Sequence, residues 1–262
     1  MKKREWVKFI GYLTSELQVS SNRISSIKSA MSSLSNFIET ILDEEYPSFR
    51  NIIKIIPTPG KTMVREKTVL TNEQIDEGLE QLINKKKYQL ACFFALLLGS
   101  GMRRAEAIQM RVDDFKEENL VLNGIWYKTR PIRTKGKGVQ GKVLEKYVSK
   151  EIFQKYFDLW MQYRKEQGIQ SEYLFVVFKN GNYAQASIST ANSWAERIEK
   201  VLGVPFYNHA CRHYWTTKEI KGGTPESIIK ELQGWSGLEM VSLYNDTSTE
   251  EQLQTFYDRQ KE

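Results

Sequence analysis

Apolar residues recur at helical spacing from the start of the chain. Trp6, Phe9, Ile10, Leu13 and Leu17 share one face, which predicts a first helix. After the polar break Ser20-Ser21-Asn22, suited to an N-cap, the spacing resumes at Ile24, Ile27, Met31, Leu34, Ile38 and Ile41. The serine-rich opposite face of that second helix is expected to be solvated or to face something polar. Pro57, Pro59 and Gly60 then break regular structure. A linker over 61–68 therefore separates a helical segment, 1–60, from a larger domain, 69–262. Thr71 with Gln74 forms a capping-box pattern opening the next helix. A strongly apolar helix runs from Tyr88 to Leu98 and stops at Gly99-Ser100-Gly101, and a short helix carrying Arg103, Glu106 and Ile108 follows.

Between 119 and 148 the pattern changes. NLVLN, GIWYKTRPIR and KVLEKYV are short strand-like runs joined by glycine-rich turns. Ser149 then opens an amphipathic helix with Ile152, Phe153, Tyr156, Trp160 and Tyr163 on its apolar face, and EYLFVVF predicts a further short strand. The remainder predicts helices near 189–202, 208–221, 225–233, 239–245 and 249–258, with Thr224-Pro225 as N-cap and first-turn pair. The expected fold is mainly α with one small antiparallel sheet (an α+β domain), preceded by a small all-α domain.

Composition narrows the class. The 262 residues carry a net charge of +6, which favours an anionic partner, nucleic acid first. The two cysteines, Cys92 and Cys211, form no CxxC pair, which argues for a reducing, cytoplasmic setting and against structural zinc. The apolar run LACFFALLLG is too short to span a bilayer, and MKKREWVKF lacks the features of a signal peptide. No membrane association is expected.

Four stretches carry candidate chemistry. HACRH (209–213) holds both histidines of the protein, one helical turn apart. A metal pair at that spacing needs a third ligand, no further histidine exists, and Arg212 is a poor neighbour for a cation. GSGMRRAE (99–106) puts Arg103 and Arg104 after a glycine-bounded turn, with Glu106 in reach of Arg103; arginine bonds phosphate oxygens bidentately. The run 128–142 contains Lys128, Arg130, Arg133, Lys135, Lys137 and Lys142 and no acidic residue, a basic strand–turn–strand finger suited to DNA phosphates. QGWSGLEMVSLYND (233–246) places Trp235 beside glycines at a helix end and Tyr244 nine positions later.

Taken in order, these stretches resemble the tyrosine recombinase (phage integrase) family across about residues 69–250. SGMRRAE stands for its first arginine box, GKGVQGK for its hairpin motif, HACRH for HxxRH, and QGWS for LGHS, with the tyrosine at the usual distance. The resemblance implies a site-specific DNA recombinase. Tyr244 would attack the scissile phosphate and form a 3′-phosphotyrosyl link. Arg103 and Arg212 would bind the non-bridging oxygens, and His209 would handle a proton and bond the phosphate. Lys137 would protonate the leaving 5′-oxygen, with Lys135 as the alternative. Trp235 stands where most relatives have histidine; its indole N–H can donate but cannot act as acid or base. Glu106 and His213 would support these groups, and the remaining basic residues (Arg104, Lys128, Arg130, Arg133, Lys135, Lys142) would contact DNA. Gln233 departs from the apolar residue usual before the glycine.

The resemblance also implies no metal and no cofactor. Partners would be double-stranded recombination sites, further copies of the chain forming a tetramer in the synapse, and accessory DNA-bending or directionality proteins. The expected location is the cytoplasm, at the nucleoid when DNA-bound. The helix near Glu250–Phe256 is a candidate for docking on a neighbouring protomer, with packing in cis as the alternative. The 60-residue helical segment is shorter than the usual core-binding domain, as in a trimmed domain or a fragment. A catalytically silent DNA-binding relative and a type IB topoisomerase are the competing functions.

Overall fold

The computed structural model describes residues 3–60, 68–135 and 141–259. It divides the chain into two compact units, Met1–Glu66 and Lys67–Glu262. The described elements of the first are helical: α1 (Lys3–Ser15), α2 (Ser21–Ile41) and a short 3-10 helix (Ile52–Ile55). Ser20 caps α2 by accepting from Arg23 N. A small core of Trp6, Ile10, Leu13, Ile24, Ile53 and Ile56 holds this unit together. Only part of the apolar period is used. Leu17, Leu34 and Ile41 are exposed while Ser35 on the serine-rich face is buried, so that face is not wholly solvated. The buried Asn51 joins the elements, donating to Ser32 O (2.9 Å) and accepting from Ile53 N (3.1 Å).

The second unit is built around one helix. It begins with α3 (Asn72–Asn84), opened by the Thr71–Gln74 capping box, and α4 (Tyr88–Ser100) follows. Every residue of α4 from Leu90 to Ser100 is buried, as expected of a helix apolar on all sides. Burying Phe93, Phe94, Leu96, Leu97 and Leu98 contributes roughly 1.5–3 kcal/mol each before entropy is counted. Around α4 pack α3, α6 (Lys150–Glu166) and α8 (Ala210–Gly222). Phe93 meets Phe175 and Trp194 edge-on, with ring centroids 5.3 and 5.0 Å apart. The helix runs two residues further than its glycines suggest, through Gly99 and Ser100, and ends at Gly101 in the left-handed region (φ +60).

The expected single sheet is three small antiparallel ones. β1 (Leu120–Val121), β2 (Trp126–Lys128) and β5 (Tyr147–Ser149) form one, in the order β1-β2-β5. β3 (Ile132–Thr134) pairs with β4 (Lys142–Leu144), and β6 (Val176–Lys179) with β7 (Asn182–Gln185). Pro131, with no N–H to give, interrupts the first two at their junction. EYLFVVF is thus half of a hairpin, turned at Asn180 (φ 52) and Gly181 (φ 80), the residue pair such turns favour.

The helices after β7 lie close to their expected positions: α7 (Ile188–Leu202), α8, α9 (Glu226–Gln233), α10 (Glu239–Tyr244) and α11 (Thr249–Arg259). Two caps differ. Ser149 precedes α6 without a side-chain cap bond. Pro225 rather than Thr224 occupies the N-cap of α9, and the Thr224 hydroxyl donates to Glu219 instead (2.7 Å). Among the described residues, no helix is long and apolar enough to cross a membrane.

Candidate active site

The left-handed turn at Gly101 delivers Arg103 to the start of α5 (Arg104–Ala107). An added Cβ on Gly101 would sit 2.8 Å from Gln233 Nε2 and 3.0 Å from the Trp215 ring, so close packing as well as φ requires glycine here. Glu106, 1% exposed, fixes Arg103 twice: Oε2 accepts its backbone N–H (3.0 Å) and Oε1 its Nη1 (2.8 Å). Arg212 comes from the first turn of α8 and has no exposed surface; its Nη2 lies 3.5 Å from the same Oε2. Burial pushes the Glu106 carboxyl up, but Lys146, Arg212 and the Arg103 donors outweigh it, so Glu106 is held below its ordinary value and stays ionised.

Tyr244 ends α10 and is 7% exposed. Its hydroxyl lies 2.5 Å from His209 Nε2, and its ring stacks on Trp235 at 5.0 Å with an interplanar angle of 8°. Both rings sit in a satellite core with Trp215, Ile229 and Val241. The Arg212 guanidinium lies 5.7 Å from the centre of the Trp235 ring. Burial first, then Arg212 and Arg103, lower His209 to about 4. The ring is therefore neutral at physiological pH and accepts the phenolic proton at Nε2 when Nδ1 carries its own. Burial raises the Tyr244 phenol, and Arg212 and Arg103 pull it back in part.

Both histidine rings pack against Tyr244, but their nitrogens take different partners. His213 Nδ1 faces Asp246 Oδ1 at 3.4 Å, and its ring lies 4.7 Å from that of Tyr244. The His209 ring nitrogen meets the Tyr244 hydroxyl, whereas His213 bridges α8 to the segment just after α10.

Donors gather beside the tyrosine. Among the described residues, Arg212 Nε, Arg212 Nη1 and Trp235 Nε1 are buried without a hydrogen-bond acceptor. Buried donors of that kind are costly unless an anion takes them up. The Trp235 turn depends on Gly234 (φ +67), where a Cβ would run into Leu144 on β4. Gln233 is buried, and its amide donates to Ser100 O at the end of α4 (3.0 Å). That bond ties the Trp235 turn to the Arg103 turn, a task an apolar residue could not perform.

The basic candidates divide. Arg104, Arg133, Lys135 and Lys142 are exposed. Lys128 pairs with Glu145 (2.9 Å). Arg130 is turned into the protein, where it pairs with Asp114 and donates to Gln109 O (2.5 Å); it anchors the base of the β3–β4 hairpin instead of standing free for a partner. Lys137 lies outside the described residues. One charged group of the site was missed in the sequence: Lys146, 2% exposed, whose Nζ is 3.4 Å from Glu106 Oε2. The signal was present. Lys146 is two residues before the buried Val148, so strand alternation puts it on the inward face.

The model of the Phage integrase family matches residues 68–251. The chain belongs to that family. It is 30% identical over 208 residues to the SPbeta prophage-derived recombinase-like protein YomM of Bacillus subtilis, an alignment covering 78% of this chain and 60% of YomM. It is 25% identical over 205 residues to the tyrosine recombinase XerA of Pyrococcus furiosus, covering 78% of this chain and 63% of XerA. The chain thus spans somewhat under two thirds of these two relatives. The fold is also that of the Tn1549 transposon integrase solved with circular-intermediate DNA: TM-score 0.68, 18% identity, 98% of this chain and 85% of that one.

Proposed function

We propose that this protein is a site-specific DNA recombinase that cuts and rejoins DNA through a 3′-phosphotyrosyl intermediate, in the integration or excision of a mobile element. The observation that carries the reading is the Tyr244 hydroxyl 2.5 Å from a neutral His209, beside the unspent buried donors of Arg212 and Trp235. Tyr244 Oη attacks the scissile phosphorus as His209 takes the phenolic proton. Arg103, Arg212 and the Trp235 indole bind the non-bridging oxygens as charge builds there. The P–O5′ bond breaks, and the leaving oxygen takes a proton from a hairpin lysine, Lys137 or Lys135. Glu106 orients the two arginines, and His213 steadies α8.

The exposed Arg104, Lys135 and Lys142 serve DNA phosphates. The helical segment 1–60 serves as a core DNA-binding domain. Leu253, Phe256 and Tyr257 are exposed on α11, which suits docking onto a neighbouring copy in a tetrameric synapse. Accessory DNA-bending or directionality proteins join at the recombination site, in the cytoplasm at the nucleoid. The mobile-element setting is supported by YomM, which is prophage-derived, and by the Tn1549 neighbour, which is a transposon integrase.

The test is capture of the covalent complex. Nicked duplexes with a randomised core are incubated with the full chain, and species that survive denaturing electrophoresis are amplified. Enrichment of one core sequence, lost in Tyr244→Phe, is the expected result. Specific binding without a covalent band would make the chain a silent DNA-binding relative. Supercoil relaxation without recombinant products would make it a topoisomerase.

A further inference from the structure

Lys146 belongs to none of the boxes above, yet its ammonium is among the most buried charges in the molecule. It sits just after β4, the return strand of the basic hairpin. Its backbone is locked to the opposite strand: Thr129 N donates to Lys146 O (2.8 Å), and Lys146 N donates to Thr129 Oγ1 (3.0 Å). The side chain then crosses into the site. Nζ reaches Glu106 Oε2 at 3.4 Å and Leu232 O, in the last turn of α9, at 3.5 Å. Glu106 is therefore shared by three cations, Arg103, Arg212 and Lys146. A buried charge survives only with such pairing, and a single carboxylate is held more rigidly by three donors than by two.

We propose that Lys146 is a positioning residue for strand cleavage: it pins the Glu106 carboxylate that orients Arg103 and Arg212, and so couples the basic hairpin to the arginine pair. This rests on the cleavage reading above. Movement of the hairpin on DNA would pass through β4 and Lys146 to the groups that bind the phosphate. The charged groups facing Lys146 are Glu106 and Arg103 from the α5 segment and Arg212 from α8. Burial brings Lys146 down to about 8, with Glu106 pulling it up and Arg212 and Arg103 pushing it down. The pin is therefore released as pH rises through that value.

The experiment compares the full chain with Lys146→Met and Lys146→Arg on the captured nicked duplex. Each is run with an ordinary phosphodiester and with a 5′-bridging phosphorothiolate, whose sulfur leaves without needing a proton. Lys146→Met is expected to lose about 100-fold in covalent-complex rate on both substrates, the size of one misplaced oxyanion donor. Lys146→Arg is expected to recover most of the loss and to move the alkaline fall in rate above the wild-type midpoint. Restoration of Lys146→Met by the sulfur substrate would make Lys146 the acid for the leaving group and overturn the positioning role. An unchanged rate, or an arginine variant with the wild-type pH profile, would overturn it too. A double-mutant cycle with Glu106→Gln in urea unfolding reads the contact itself, and additive midpoints would contradict the pin. Wild-type chain that forms no adduct would count against the cleavage reading, while the unfolding cycle still decides the contact.

Discussion

Replacing Glu106 with glutamine keeps the shape of the side chain and removes its charge, which isolates the electrostatic role of the carboxylate. Three cations lose their counter-charge, but not equally. Arg103, with 26% of its side chain exposed, rehydrates and contributes little. Lys146 can release its proton; its folded value is about 8 even with Glu106 pulling it up, so without that carboxylate the release at neutral pH costs less than about 1.4 kcal/mol. Arg212 has no exposed surface and its guanidinium stays charged, so it bears most of the penalty. Breaking a buried pair of this kind costs about 3–5 kcal/mol. Urea unfolding followed by tryptophan fluorescence measures it, since five of the six tryptophans lie in the second unit. The pH dependence has a definite sign. Glu106 is held below the ordinary carboxylate value, so its stabilisation is present above the unfolded pKa and is lost as pH falls through the lower folded one. The gap between wild type and variant should be full at neutral pH and should close in acid. A gap below about 1 kcal/mol at neutral pH, or one independent of acid, would show that the carboxylate is not the counter-charge of a buried Arg212.

Other substitutions separate chemistry from packing. Tyr244→Phe keeps the ring on Trp235 and removes only the hydroxyl, so adduct formation should vanish while the urea midpoint moves little. Arg212→Ala should nearly abolish cleavage, and His209→Ala should impair it strongly. His213→Ala should act through stability, by loosening the Asp246 contact; equal catalytic loss from both histidines in the nicked-duplex assay would contradict that division. Gly234→Ala forces a side chain into a left-handed position against Leu144 and should cost about 1–2 kcal/mol, read as a lower thermal midpoint, with slower cleavage as Trp235 moves.

The helices and the order of the family's sequence boxes were legible because each rests on local order. The Thr71–Gln74 cap, the all-apolar α4 and the periodic C-terminal helices are written in neighbouring residues, and the structure follows them within a residue or two. The spacing of the boxes sets His209 apart from His213, and the two take different polar partners, Tyr244 and Asp246. What stayed hidden depends on contacts across the fold. The sheet count turned on Pro131 and on an Asn-Gly turn that pairs two short strands. Arg130 counts as basic in sequence but spends its charge on Asp114, a partner 16 residues away. Gln233 looks like a departure until its bond to Ser100 is seen. Lys146 lies beyond the basic run 128–142, and what draws its side chain inward is Glu106, a carboxylate far away in sequence.

The most direct measurement is the chemical identity of the covalent link. The full chain is trapped on a captured nicked duplex, digested, and the nucleotide-bearing peptide sequenced by mass spectrometry. A 3′-phosphate ester on Tyr244, with a free 5′-hydroxyl on the released strand, is the predicted result. An adduct on another residue, or a 5′-linked phosphate, would contradict Tyr244 as the nucleophile and the roles assigned to the groups around it.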